Sequence, residues 1–293
     1  MAEGNKTKRV QVVLRPAESK KLIAKAILEL DAVKQALKGG ILAIHPSSTT
    51  YFIREMLSGD KPEGVWLVGM IAPRGTCIEG ICHRAFEEDN YDDLSNPDNF
   101  PFTWIYKRGK LQEALKLGDL LSEMGEGDVY IKGVNAIDTY GHVGVLLASL
   151  AGGTIGRAFK AQKKRQFQMV YVAGQEKLIA GPIKEVAKET GRAITSDALG
   201  IPCGLWAIEA EAFTEIEAFR ILAGVEAVSI AAGGVGGAEG SIMLVLKGEE
   251  SNVNLAMNLA KEVKGAKLPD VLVPECQACH SPGCLFAGQT ISW

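Results

Sequence analysis

Near the end of the chain, Cys276, Cys279, His280 and Cys284 fall within nine positions of one another in VPECQACHSPGC. A C-x-x-C turn lets two thiolates meet one metal ion, with Cys284 a third ligand and His280 a fourth candidate, although adjacent Cys279 and His280 do not both reach one zinc. The letters CQACH also match a c-type haem attachment. That reading fails because the N-terminus runs straight into a short apolar strand with no export-signal core. Pro282 and Gly283 oppose the helix that a thioredoxin-like pair requires. What remains is a metal, zinc ahead of an iron–sulfur cluster, whose usual second C-x-x-C is missing, or a plain turn that binds none. The segment CIEGICHR supplies Cys77 and Cys82 as further ligands. Two segments poor in core residues would gain order from a shared ion, because metal binding free energy is then folding free energy. Cys203, in an apolar stretch, is expected as small buried filler.

Two other stretches could hold a small anion. In HPSSTTYFI a strand ends in Ser47, Ser48, Thr49 and Thr50 and opens a helix, so backbone N–H groups and hydroxyls face one point, which suits a phosphate or carboxylate. A plain helix cap would use the same residue types. In DVYIKGVNAIDTYGHVGVLLASLAGGTIGRAF a strand runs through Lys132 into Gly133, followed by Asn135, Asp138 and His142, then Gly152, Gly153, Thr154, Gly156 and Arg157 ahead of a helix. Glycines let backbone approach a substrate and Arg157 could clamp its charge. Asp138 is the best placed general base, with His142 a partner because imidazole titrates near neutrality. Lys177, just past a later strand, could reach the same anion. The glycines at 233, 234, 236, 237 and 240 do not make a dinucleotide fingerprint, since a strand, IMLVLKG, follows them instead of a helix. Neither a nicotinamide nor a flavin is expected.

The elements that must position these groups alternate. RVQVVLR, ILAIH, GVWLVGMIA, TWIYK, DVYIK and QMVYVA read as strands, and 17–38, the run after PSSTT, 111–123 and the run from about Ile155 read as helices. Paired glycines at 39 and 40 and Gly59 stop the first helices. Strands alternating with helices imply an α/β fold with a mainly parallel sheet covered on both faces, whose ligand crevice lies beyond the strands' carboxyl ends. Residues 1–202 form this unit, interrupted by an irregular insertion at 73–102. After Pro202 the order becomes strand, helix, strand, strand, helix, predicting a small α+β, ferredoxin-like unit over 203–265, and 266–293 is a cysteine-bearing tail packed back on the main domain.

At 293 residues, 47% hydrophobic and 23% charged, the chain can bury a large core. A net charge of −3 with scattered Lys and Arg gives no footprint for nucleic acid. No apolar run reaches the roughly 18 residues of a membrane span. A cytoplasmic homo-oligomer is expected.

PSSTTYFI, IKGVNAIDTYGHVGV and QMVYVAGQEKL come in the order and spacing of a known superfamily, and the chain resembles its ribose-5-phosphate isomerases, CoA transferases and glucosamine-phosphate deaminases over about two-thirds of its length. The resemblance implies a parallel-sheet domain with a small α+β insertion late in the chain, acting on a phosphorylated, carboxylated or CoA-linked substrate. It places Asn135 and Asp138 where the isomerases carry two acidic residues. The isomerases' loop Lys and Glu have no counterpart in 141–156, and no transferase glutamate is evident. The expected function is therefore an isomerase- or transferase-like enzyme with a cysteine metal clip; a non-catalytic metabolite or redox sensor is the alternative.

Overall fold

The computed structural model describes residues 7–80, 102–113 and 115–291. Its strands are β1 (Thr7–Leu14), β2 (Ile41–Ile44), β3 (Gly69–Ala72), β4 (Gly75–Ile78), β5 (Trp104–Lys107), β6 (Lys110–Leu111), β7 (Val129–Gly133), β8 (Ala136–Ile137), β9 (His142–Leu147), β10 (Gln168–Val172), β11 (Gly204–Glu209), β12 (Glu226–Gly233) and β13 (Ser241–Glu249). The helices are α1 (Pro16–Ile27), α2 (Asp31–Gly39), α3 (Thr50–Ser58), α4 (Leu117–Glu123), α5 (Gly153–Arg165), α6 (Ile183–Val186), α7 (Glu215–Ala223) and α8 (Glu250–Glu262).

The central sheet has the order β10-β7-β2-β5-β6. β10, β7 and β2 run parallel, while β5 and β6 add antiparallel, so the sheet is mixed where a mainly parallel one was expected. Period-2 alternation sends its side chains into two layers. Leu42, Ile44, Val129, Ile131, Val170 and Val172 face α1, α2 and α3, whereas Ala43, Ile105 and Tyr130 face α4 and α5. Burial of both faces explains why these strands read as continuous apolar runs.

A second sheet, β1-β13-β12, is wholly antiparallel and is covered by α7 and α8. Its inward residues Val12, Leu14, Leu244 and Leu246 share one core with Phe219, Val253 and the α1 face of the central sheet. The small unit expected over 203–265 therefore takes a strand from the N-terminus, and its first expected strand, β11, pairs instead with β9 in a third sheet, β11-β9-β8. Bonding thus runs across the expected boundary at 202.

Other differences are local. The buried strand expected over 64–72 shrinks to β3, half of an outlying hairpin with β4 in which Ile71 is 73% exposed. Gly64, the first residue of the run, takes a left-handed φ of 71°, and Trp66 packs edge-on against Tyr51 at 5.5 Å. The helix expected from Leu111 begins only at Leu117, because Lys110 and Leu111 turn back on β5. The loop expected after Gly133 contains the β8–β9 hairpin. The connection at 234–240 joins β12 to β13, as expected for a glycine-rich turn between strands. No helix among the described residues is long and apolar enough to cross a membrane.

Candidate functional site

The carboxyl ends of β2, β7 and β10 point the same way, and the chain leaves each through polar residues. Beyond β2, Thr50 Oγ1 donates to His45 O at 2.6 Å and lies 3.0 Å from Ser47 Oγ, which accepts from Thr50 N at 3.2 Å. Those hydroxyls close the turn that starts α3. Half-buried Ser48 sits between them and Thr49, whose buried hydroxyl has no partner among the described residues. A buried hydroxyl left unpaired in a native fold calls for an explanation such as a ligand. Gly133, at the end of β7, is required by this turn: a Cβ there would lie 2.4 Å from Ser47 Oγ. One residue on, Val134 O accepts from Lys177 Nζ at 2.5 Å. Ser47 thus lies against Gly133, and Lys177 against the backbone of the next residue.

Lys177 leads to charges that carry no motif. Its neighbour Glu176 pairs with Lys20 of α1 at 3.2 Å, both side chains largely buried. Gly174 leaves room for two carboxylates: its ideal Cβ would meet Glu176 Oε2 at 1.8 Å and Glu215 Oε1 at 3.0 Å. Glu215, fully buried, also accepts from Gln175 N at 3.0 Å. It is free to turn inward because Thr214 caps α7 through Ile216 N and Glu217 closes the capping box. On the other face of β7, Lys132 is buried with no carboxylate partner among the described residues, close enough to His45 to disfavour its charge.

The environment moves these groups toward neutrality. Burial, then the nearby Glu176 charge, raises the Glu215 carboxyl to about 7. Burial and the charge on Lys177 lower Lys132 to about 7. Burial and Lys20 lower Lys177 to about 8, with Glu176 and Glu215 opposing. Burial, then Lys132, depresses His45 well below the usual imidazole range. Titratable groups driven to neutrality from both sides, at the carboxyl rim of parallel strands, have the properties of a proton-transfer site.

The other expected residues serve structure. Asp138 is a poor base: its Oδ1 accepts from Tyr140 N and His142 N, and its Oδ2 accepts from Ile183 N at 2.8 Å and faces His142 Nδ1 at 3.2 Å. Burial raises its carboxyl, but those donors outweigh it and hold it below the usual range. It ties the β8–β9 turn to α6. Asn135 Oδ1 accepts from Leu146 N and braces the same hairpin. Gly152 and Gly156 lie against the Trp206 indole, and Gly152 lines a separate cavity of about 260 Å³ with Ser149, Arg192 and Trp206. Gly153, Thr154 and Arg157 belong to the first turns of α5 beside it.

Missed in the sequence were Lys20, His45, Glu176 and Glu215. Lys20 had a signal: it stands three and seven residues before Ile23 and Ile27, on the buried stripe of α1. Glu176 and Glu215 are ordinary charges until the fold joins them.

Among the described residues no three His, Cys, Asp or Glu side chains are set to hold a metal as they stand. Cys82 lies outside the described residues, His280 is exposed, and Cys203 is half-buried with its Sγ donating to Ile201 O at 3.2 Å. Comparison with protein families, curated proteins and solved structures finds no match to this chain.

Proposed function

We propose that the protein is an enzyme of isomerase or transferase type that binds a small phosphorylated, carboxylated or CoA-linked anion at the carboxyl rim of β2, β7 and β10. The observation that carries this reading is the Lys20–Glu176 pair beside buried Glu215, with Lys177 in electrostatic range of all three and of Lys132, which is buried on the other face of β7. The amines and the Ser47–Thr50 turn hold the anion, and Glu215, its carboxyl raised to about 7 by burial and the nearby Glu176 charge, moves a proton on and off the substrate. The arrangement accords with the resemblance to ribose-5-phosphate isomerases and CoA transferases, although the proton carrier differs from Asp138 and His142. The cysteine tail stands apart from this crevice as a structural clip, and the protein works in the cytoplasm as a homo-oligomer.

A thermal-shift screen with sugar phosphates, acyl-CoAs and small dicarboxylates tests the reading, because a ligand that binds only the folded state raises the melting temperature. A binding anion should lose most of its shift in Lys132→Met and Lys177→Met. An equal shift in both variants, or no shift from any anion, refutes it.

A further inference from the structure

We propose that Cys77, Cys276, Cys279 and Cys284 are the four ligands of one zinc ion that fastens the C-terminal tail to the β3–β4 hairpin. The four cysteines come from two places about 200 residues apart in sequence, and backbone contacts bring them to one neighbourhood. Residues 198–201 lie between β4 and the tail. On one side Ile201 N donates to Thr76 O at 2.7 Å, one residue from Cys77; on the other, Ala198 N donates to Gly283 O at 3.0 Å and Leu285 N to Ala198 O at 2.9 Å, flanking Cys284. The approach is close enough to require glycine, since a Cβ on Gly75 would lie 1.8 Å from Leu199 O and one on Gly200 2.3 Å from Thr76 N. The start of the tail is held independently: Gly80 N donates to Leu272 O at 2.7 Å, and Arg74 Nη1 donates to Pro274 O at 3.2 Å and to Cys276 Sγ at 3.6 Å. The Cys77 thiol accordingly lies within electrostatic range of the thiols of Cys276, Cys284 and Cys279.

Chemistry selects the ion. Four sulfurs, three of them in C-x2-C-x4-C spacing on a turn, make a closed thiolate set of the structural zinc type. Bound as thiolates around Zn²⁺ they leave an excess negative charge, which the Arg74 guanidinium at Cys276 is placed to offset. His280 is exposed and drops out of the set. The segments joined carry little regular structure of their own, since a two-stranded hairpin is marginal by itself and residues 271–291 contain one short 3-10 turn. The sulfurs share a neighbourhood without yet meeting at one point, so binding would draw them in, and its free energy would order hairpin and tail together.

The test uses the full chain purified without oxygen. Metal content, and alkylation of each cysteine mapped by mass spectrometry with and without a chelator, should show about one zinc per chain, as a single four-coordinate site demands. Chelation should expose Cys77, Cys276, Cys279 and Cys284 together and leave Cys203 unchanged. Cys77→Ser should weaken zinc by more than about 100-fold, since even outer-shell changes cost about 10–100-fold, while Cys203→Ser should have no effect. Alkylation of the unmutated chain gives the answer even if Cys77→Ser fails to fold. Zinc-independent labelling of Cys77, a folded Cys77→Ser protein that keeps its zinc affinity, or iron and sulfide in place of zinc would each overturn the proposal.

Discussion

Replacing Glu215 by glutamine should make the protein more stable, and by an amount that grows with pH. In the folded state the carboxyl titrates near 7, against an ordinary value of 4.5. A group whose folded pKa is raised contributes its stability below the unfolded pKa and loses it as pH rises through the folded pKa. Between pH 4.5 and 7, therefore, ionised Glu215 progressively weakens the fold, because its charge is stripped of water and faces Glu176. The full displacement of about 2.5 pKa units corresponds to about 3 kcal/mol, of which roughly 2–3 kcal/mol develops between pH 5 and pH 8. Glutamine imitates the protonated acid and keeps an oxygen for the Gln175 N–H. Urea denaturation of both proteins at the two pH values reads the difference directly. The variant should exceed the wild type by about 2 kcal/mol or more at pH 8 and by less than about 1 kcal/mol at pH 5, while losing turnover. Part of the gain is offset because ionised Glu215 supports the charge on Lys177. A stability difference that stays constant from pH 5 to pH 8 would refute the assignment of Glu215 as a carboxyl driven to neutrality by burial and its neighbour.

Glu18 should behave in the opposite sense. Burial raises its carboxyl, but Arg15, Lys264 and the Gly265 N–H together hold it at about 2. Its stabilising effect is complete above pH 4.5 and disappears as pH falls through about 2. Glu18→Gln should cost roughly 1–3 kcal/mol at neutral pH, with the gap closing in acid denaturation; a gap that widens in acid would show the sign to be wrong. Asp138→Ala should cost about 2–4 kcal/mol by stranding the N–H groups of Tyr140, His142 and Ile183, and Asp138→Asn, which keeps acceptor oxygen, about half as much. An alanine variant with wild-type urea stability would return Asp138 to candidacy as a base.

Local signals in the sequence were sound guides to the elements and poor guides to their partners. Gly59, in the left-handed region, ends α3 where the sequence stops it, and Thr214 with Glu217 begins α7 where a capping box stands. These depend on neighbours within one turn. Strand pairing does not: β1 finds β13, Leu14 opposite Ile242 and Thr7 opposite Glu249, and nothing in RVQVVLR distinguishes that edge from the central sheet. The run GVWLVGMIA misled because apolar content alone does not tell a doubly covered strand from an outlying hairpin beside one buried Trp66. The structure sets Ser47 and Thr50 in the turn that opens α3 and Gly133 against Ser47, positions that their motifs marked as the ends of buried strands. Asp138 attracted notice for its place in the motif beyond β7, and in the structure its carboxylate is taken up by the N–H groups of Tyr140, His142 and Ile183.

The same comparison bears on how the crevice is held together. A carboxylate such as Asp138 or Glu18, surrounded by donors, lowers the free energy of the fold and has no capacity left to exchange protons. Glu215 and Lys132 are the reverse: each is buried where its charged form is disfavoured, and each costs stability near neutral pH, where Lys132 at about 7 binds its proton far more weakly than an exposed lysine would. Such a cost persists only where the surrounding structure can bear it. Here the neighbours are fully buried: Leu22, Ile23 and Ile27 on the same helix as Lys20, Val172 before Gly174, and Phe219 one turn after Glu215, all in one continuous core. An anionic substrate entering this crevice would supply the counter-charge that Lys132 lacks and an acceptor for the Thr49 hydroxyl, but its charge would be opposed by ionised Glu215, the charge that Glu215→Gln removes. Above pH 7 the two stabilisations should consequently be more than additive, and full additivity of ligand and substitution in urea would separate the glutamate from the anion site.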